Sequence, residues 1–270
     1  MRCSRGSKAA SRSIWCPSIS APRCKHWARL PGRTSTTSFW IASSASSASA
    51  SDVSFRYLLT FRKHEAARFL SHLDLQATLE YGMRRAGLPL ELSEGFNPRP
   101  RYSLVAALPL GYVGEHELLE MTLRDDLEPG DVAAKLQSAL PDGITILSGE
   151  RLAAGSSAGA GRLRSATHRL ELAEPVSDLD ARVAQLLSEP ELIVEDERNG
   201  RKRKQNKRAL VLALSVVEPQ TLRLVTELTL DGSVRPEDIL RFLGLDPTEA
   251  RITREAIEIE PEKSARTASG

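Results

Sequence analysis

The sequence predicts an α+β fold made of two tandem split-βαβ (ferredoxin-like) modules with mainly antiparallel sheets, preceded by a disordered tail. Three observations carry this. Residues 55–152 read in the order strand, helix, strand, strand, helix, strand, and residues 166–260 read in the same order with one extra strand. A Gly/Ala/Ser stretch, AAGSSAGAGRLRS (153–165), separates them as a flexible linker. Finally, the first 51 residues differ in composition from the rest.

That leading segment contains eight Lys/Arg and no acid, all three cysteines (Cys3, Cys16, Cys24), all three tryptophans and a Ser/Ala run. It has no amphipathic period and no apolar core of the signal-peptide kind, so residues 1–54 are expected to be a disordered extension or the product of a start codon placed too far upstream. Residues 261–270 are expected to be a disordered C-terminus. From Asp52 onward 29 basic residues face 35 acidic ones, a net of −6, so anion binding by the body has to be local. The cysteine spacings match no metal pair or cluster-binding triplet, and the histidines of the body are scattered without metal-ligand spacing. No metal site is expected. No apolar run approaches the roughly 20 residues a membrane span needs, and a cytoplasmic location is expected.

In the first module RYLLTFRK (56–63) is a strand, and SHLDLQATLEYGMRRAG (71–87) is a helix. Ser71 and Asp74 form its capping box, and Gly87 stands where the chain leaves it. Leu75, Leu79, Met83 and Ala86 make its apolar stripe. RYSLVAALPLG (101–111) and HELLEMTLRD (116–125) are strands, EPGDVAAKLQSAL (128–140) is a helix and ITILSGERL (144–152) closes the module. In the second, THRLELAE (167–174) is a strand, SDLDARVAQLLSE (177–189) a helix, and ELIVEDE (191–197) with ALVLALSVVEP (209–219) a hairpin. LRLVTELTL (222–230) continues the sheet, RPEDILRFLGL (235–245) is a helix with Pro236 in its first turn, and ITREAIEIE (252–260) closes it.

Three segments are suited to chemistry. In RFLSHLDL (68–75), Arg68 and His72 flank a helix start whose unpaired N–H groups favour an anion. In SEGFNPRPR (93–101), Gly95 and Asn97-Pro98 set a turn, and the prolines bias Arg99 toward an extended backbone. Arg99 and Arg101 then project to one side. Phe96 beside them is either a stacking surface for an unstacked base or a plug in the core. The third segment, RNGRKRKQNKR (198–208), places Arg201, Lys202, Arg203, Lys204, Lys207 and Arg208 at a hairpin tip marked by Asn199-Gly200, mobile because like charges repel and suited to a polyanion. There is no GxGxxG, phosphate loop, HExxH or serine elbow.

RFLSHLDL, RRAGLPL, SEGFNPRPR and ALPLG in that order, with DGSVRPEDIL (231–240), resemble a bacterial domain of unknown function encoded beside, or fused to the C-terminus of, an uncharacterised radical S-adenosylmethionine protein. The resemblance implies that this partner carries the iron–sulfur cluster and S-adenosylmethionine. The chain itself has no CxxxCxxC triplet and is expected to hold no cofactor. The expected role is a non-catalytic accessory module that holds an anionic substrate, RNA of ribosomal or transfer class, for the partner. Two alternatives stand beside it. One is a metal-independent endoribonuclease with His72 as acid/base and Arg68 as phosphate stabiliser; the other is an adaptor between proteins.

Overall fold

The computed structural model describes residues 54–260, apart from 158, 199–200 and 230–231, and describes only the backbone of 196–198 and 201–203. The tail and C-terminus expected to be disordered lie outside the described residues. The elements of the first half are β1 (Phe55–Lys63), α1 (His72–Arg85), β2 (Tyr102–Leu104), β3 (Val113–Leu123), α2 (Pro129–Ala139) and β4 (Ile144–Arg151). Those of the second are β5 (Leu163–Leu172), α3 (Leu179–Ser188), β6 (Ile193–Arg198), β7 (Arg201–Asn206), β8 (Val211–Glu218), β9 (Thr221–Glu227), α4 (Pro236–Phe242) and β10 (Ala250–Ile259). The α+β class follows directly.

One mixed sheet runs β4-β1-β3-β10-β5-β9-β8, with short β2 on the edge of β3. Each half has the split-βαβ strand order 4-1-3-2, and the halves join where β10 pairs parallel with β3 through Thr253 to Val113 and Arg254 to Gly114. β2 leaves β3 after Leu104, which frees the rest of the β3 edge for β10. The modules therefore lie side by side in a single sheet.

Strand alternation sends Tyr57, Leu59 and Phe61 of β1 and Leu119, Met121 and Leu123 of β3 into a core with Leu75, Leu79 and Met83 of α1 and Val132 and Leu136 of α2. In the second half Leu170, Leu222, Leu224 and Ile252 meet Val183 and Leu186 of α3 and Ile239 and Leu240 of α4. Gly82 lets α1 and α2 approach, since a Cβ there would stand 2.7 Å from Leu140 Cδ2.

Two expectations are corrected. The stretch 101–111 is strand only over Tyr102–Leu104; the remainder is a strap that leads into β3. In the second half ELIVEDE pairs not with ALVLALSVVEP but with the basic segment, as a separate two-stranded ribbon β6-β7. In register Glu195 stands opposite Lys204, Asp196 opposite Arg203 and Glu197 opposite Lys202, and Glu195 pairs with Lys204 at 2.9 Å. The linker also has fixed partners: Arg56 donates to Ser156, and Gly159 N donates to Glu120 Oε2 at 2.7 Å.

Candidate functional site

The loop 93–101 is closed by its own hydrogen bonds. Ser93 N donates to Arg99 O at 2.8 Å, Arg99 N donates to Ser93 Oγ at 3.0 Å, and Leu92 bridges to Pro100 at the neck. Gly95 at φ 118° takes a conformation costly for other residues. Phe96 sits on this crown fully exposed, which excludes its role as a core plug. Asn97 and Arg99 are exposed as well, and Arg99 has no ion pair among the described residues. Arg101 differs, since its guanidinium pairs with Glu91 at 3.0 Å. The two arginines are therefore not equivalent, and Arg99 is the one left for a ligand.

Tyr102 fastens this loop to α1 by donating to Gln76 O at 3.2 Å and to Glu80 Oε2 at 3.1 Å. Burial, then the Glu80 carboxylate, pushes the phenol up to about 12, while the positive charges of Arg84 and Arg99 oppose the rise. Both guanidiniums thus lie within electrostatic reach of one hydroxyl. Tyr81, Arg84 and Arg85 are exposed on the last turns of α1, and Arg84 pairs with Glu80 at 2.9 Å. Aromatic and basic groups gather at the C-terminal end of α1.

The other end of α1 is different from what the sequence suggests. Ser71 Oγ accepts from Asp74 N at 3.2 Å and donates to Asp74 Oδ2 at 2.7 Å, so the helix start already has a carboxylate beside its free N–H groups. Arg68, cast as the phosphate stabiliser of an endoribonuclease, lies over the Phe69 ring at 4.5 Å and pairs with Glu65 at 3.2 Å. His72 is half-buried, and its Nδ1 has no partner among the described residues. Among the described residues Arg68 and His72 make no hydrogen bond or ion pair with the loop 93–101, which Tyr102 ties to α1 at Gln76 and Glu80, about one and two turns beyond His72.

The basic ribbon divides likewise. Lys204 is exposed and pairs with Glu195 at 2.9 Å, which raises its pKa, through the hydrogen bond first and the charge second. Arg201, Lys202 and Arg203 lie in β7, and Asn199-Gly200 fall outside the described residues. Lys207 is buried, with Nζ donating to Ser233 O at 3.1 Å, and Arg208 donates to Leu187 O at 2.8 Å and Glu189 O at 3.3 Å at the end of α3. Both side chains thus donate to backbone carbonyls of the fold.

Sequence reasoning missed a polar seam under the helices where the halves join. Lys63, Gly114, Arg254 and His168 lie in a row across β1, β3, β10 and β5, the Glu117 side chain lies against Gly114, and Lys63, Glu117, Arg254 and His168 are all buried. Arg254 Nε donates to Glu117 Oε1 at 2.8 Å, its Nη2 donates to Oε2, and its Nη1 donates to Ala107 O of the strap at 3.0 Å. Lys63 Nζ donates to Arg68 O at 3.1 Å and Leu70 O at 3.0 Å, which ties the RFLSHLDL segment to the same place. Burial lowers the pKa of Lys63, with Arg254 adding to the effect and Glu117 opposing it. Tyr112 OH donates to Glu237 Oε2 at 2.6 Å; burial, reinforced by that carboxylate, holds the phenol far above its usual range. Among the described residues no group of three or more His, Cys, Asp or Glu could hold a metal ion, and no helix is long and apolar enough to cross a membrane.

A family described as an uncharacterized protein conserved in bacteria, DUF2344, matches residues 56–236. The chain belongs to the DUF2344 family. None of the curated proteins compared matches this DUF2344 chain in sequence. Among solved structures it is similar to a chain of a Cbf5-Nop10-Gar1 complex at a TM-score of 0.40 and 10% identity, over 74% of this chain and 48% of that one. The DUF2344 chain thus spans about half the length of that match. A second similarity, to an unknown protein from Galdieria sulphuraria, has a TM-score of 0.24 and 12% identity, over 77% of this chain and 100% of the other.

Proposed function

We propose that this chain is a non-catalytic accessory module that holds single-stranded RNA, of ribosomal or transfer class, for a radical S-adenosylmethionine enzyme in the cytoplasm. One observation carries the RNA part: Phe96 stands fully exposed on a loop pinned at its neck, with Arg99 exposed beside it and without an ion pair among the described residues. Burial cannot account for an aromatic ring held there. A base stacked on such a ring is worth about 1–3 kcal/mol, and a guanidinium next to it matches a phosphate. Tyr81, Arg84 and Arg85 extend the surface along α1. The partner is proposed from the resemblance of the sequence motifs, and in this reading it supplies the iron–sulfur cluster and S-adenosylmethionine.

Fluorescence anisotropy with a labelled single-stranded RNA of about 12 nucleotides tests the RNA reading. We expect binding that weakens between 50 and 200 mM salt, as release of counterions requires, and a loss of tenfold or more in the Phe96→Ala/Arg99→Ala variant. Equal affinity of variant and parent would overturn the reading.

A second reading has its own observation. Leu73, Ala77 and Tyr81 recur every four residues along the solvent side of α1 and are exposed, as is Phe69 in the turn before the helix, a set suited to a protein partner. If the chain is an adaptor between proteins, co-purification with the radical enzyme survives nuclease and is lost in Leu73→Asp.

A further inference from the structure

The strap that follows β2 and the segment that precedes α4 border a half-open cavity of about 330 Å³ at the seam of the two halves. Its walls include Val105, Leu163, Val234 and Pro236, and Tyr112 and His168 stand edge to face beside it with ring centroids 6.4 Å apart. His168 is 5% exposed, lines the cavity, and has an Nδ1 without a hydrogen-bond partner among the described residues. A buried polar atom left without a partner is costly, so the site asks for a hydrogen-bonding group from outside the chain.

The electrostatics of the lining select the kind of group. Arg254 is the charged side chain nearest His168 in the sheet, paired to it across β5 and β10, and its charge is matched by the two-pronged contact with Glu117. Glu237 is occupied by the Tyr112 hydroxyl. Burial, with the positive charge of Arg254 second, holds the His168 imidazole down to about 3, so it is neutral at physiological pH and offers one donor or one acceptor. A second cavity shows the contrast: the groove of about 380 Å³ on the opposite sheet face is walled by Arg169, Glu171, Arg223 and Glu255, whose charges face one another. The seam pocket instead sets apolar walls around the uncharged His168 ring, with Thr229 and Ser233 beside it and with Arg254 and Arg235 on its lining, neither of which is free. Its volume lies at the small end of the range for ligand pockets, which suits one ring system and not a long chain.

We infer that the seam cavity is a binding site for one unpaired nucleobase, whose hydrogen-bonding edge meets His168 while its faces rest on the apolar walls and Tyr112. The site rests on the RNA reading for the source of the base, with a free nucleoside as the other source. A phosphate is disfavoured, because the imidazole carries no charge, Arg254 is matched by Glu117, and Arg235 on the same lining is not free either.

Nitrogen NMR of the histidine imidazoles in the full chain tests this, with titration by adenosine, guanosine, cytidine and uridine, by a five-nucleotide RNA and by inorganic phosphate. At least one nucleoside should move the His168 resonances saturably, and phosphate should leave them in place. His168→Phe should weaken that nucleoside by about tenfold, the equivalent of roughly 1.4 kcal/mol, read by calorimetry. Ala107→Trp, at an exposed position on the cavity lining, should block it without touching the buried pair. Phe96→Ala/Arg99→Ala should leave nucleoside binding unchanged. Movement by the RNA as well as the nucleoside assigns the source to RNA, and movement by the nucleoside alone assigns it to a free nucleoside; both support the site. If no nucleoside moves His168, or if phosphate moves it as far, the assignment falls. RNA binding that still depends on Phe96 and Arg99 would then leave the RNA reading intact.

Discussion

Gly114 shows how one residue sets the seam. A Cβ there would stand 2.6 Å from Glu117 Cγ and 2.7 Å from its Oε1, so Gly114→Ala has to push the carboxylate off Arg254. Separating a buried pair leaves an uncompensated charge, and we expect a loss of about 3–5 kcal/mol in urea denaturation. A midpoint unchanged from the parent would show that Glu117 has room to move. His168 makes a second prediction, through linkage. Its folded pKa of about 3 lies below the unfolded value near 6.5, so between those pH values the unfolded chain binds the extra proton and stability falls as pH falls. Above pH 6.5 the contribution is complete; below it the slope approaches about 1.4 kcal/mol per pH unit. His168→Gln, which does not titrate, should flatten the pH dependence between 6.5 and 4.5. Parallel curves for the two proteins would mean that the imidazole charges in the folded state.

At the scale of elements, local pattern carried some features and lost others. The capping box at Ser71 and Asp74 and the apolar stripe of α1 were legible because each uses residues within a few positions of one another. Strand pairing in the second half was not, since ELIVEDE and ALVLALSVVEP are both plausible neighbours by composition. The deciding signal, acids at 195–197 opposite cations at 202–204, appears only when the segment between is folded back as a strand. The same ribbon then sorts its cations by role. Arg208→Ala removes the donors on the last carbonyls of α3 and should cost about 1–2 kcal/mol by thermal unfolding. Lys204→Ala, at an exposed pair, should leave the melting temperature where it is. An equal fall in both would contradict the division. The loop at 93–101 gives the complementary case. Phe96→Ala removes no buried surface, so stability should stay within about 0.5 kcal/mol of the parent while RNA affinity drops. A clear loss of stability would mean that the ring is packed after all.

Over the whole molecule, the doubled order 4-1-3-2 follows from repeated strand and helix patterns, whereas the seam has no local signature. Arg254 and Glu117 are 137 residues apart, and each reads in sequence as one more charge in a strand. The only local hint is a break in alternation: Lys63 and Glu117 occupy positions that continue the core-facing sides of β1 and β3, where apolar residues are expected. The halves are joined by a parallel bridge of two residue pairs between β3 and β10, by the Arg254 contacts to Glu117 and the strap, by Tyr112 on Glu237, and by an apolar cluster of Leu58, Val105 and Leu118 with Leu163, Ile257 and Ile259. Arg254 is the buried charge among these links. In Arg254→Leu the Glu117 carboxylate and the carbonyls of Ala106 and Ala107 lose their donors, while each hydrophobic core remains complete. Urea unfolding of the parent, followed by circular dichroism and by hydrogen exchange in each half, should give coincident transitions. The variant should lose about 3 kcal/mol or more and separate into two transitions, with amides of β1 and β3 protected to a different urea concentration from those of β5 and β9. Replacing both partners, Arg254→Leu with Glu117→Leu, removes the stranded charge and should recover much of the midpoint without restoring the link to the strap. A single coincident transition in the single variant would place the coupling elsewhere, in the apolar cluster and the Tyr112–Glu237 contact.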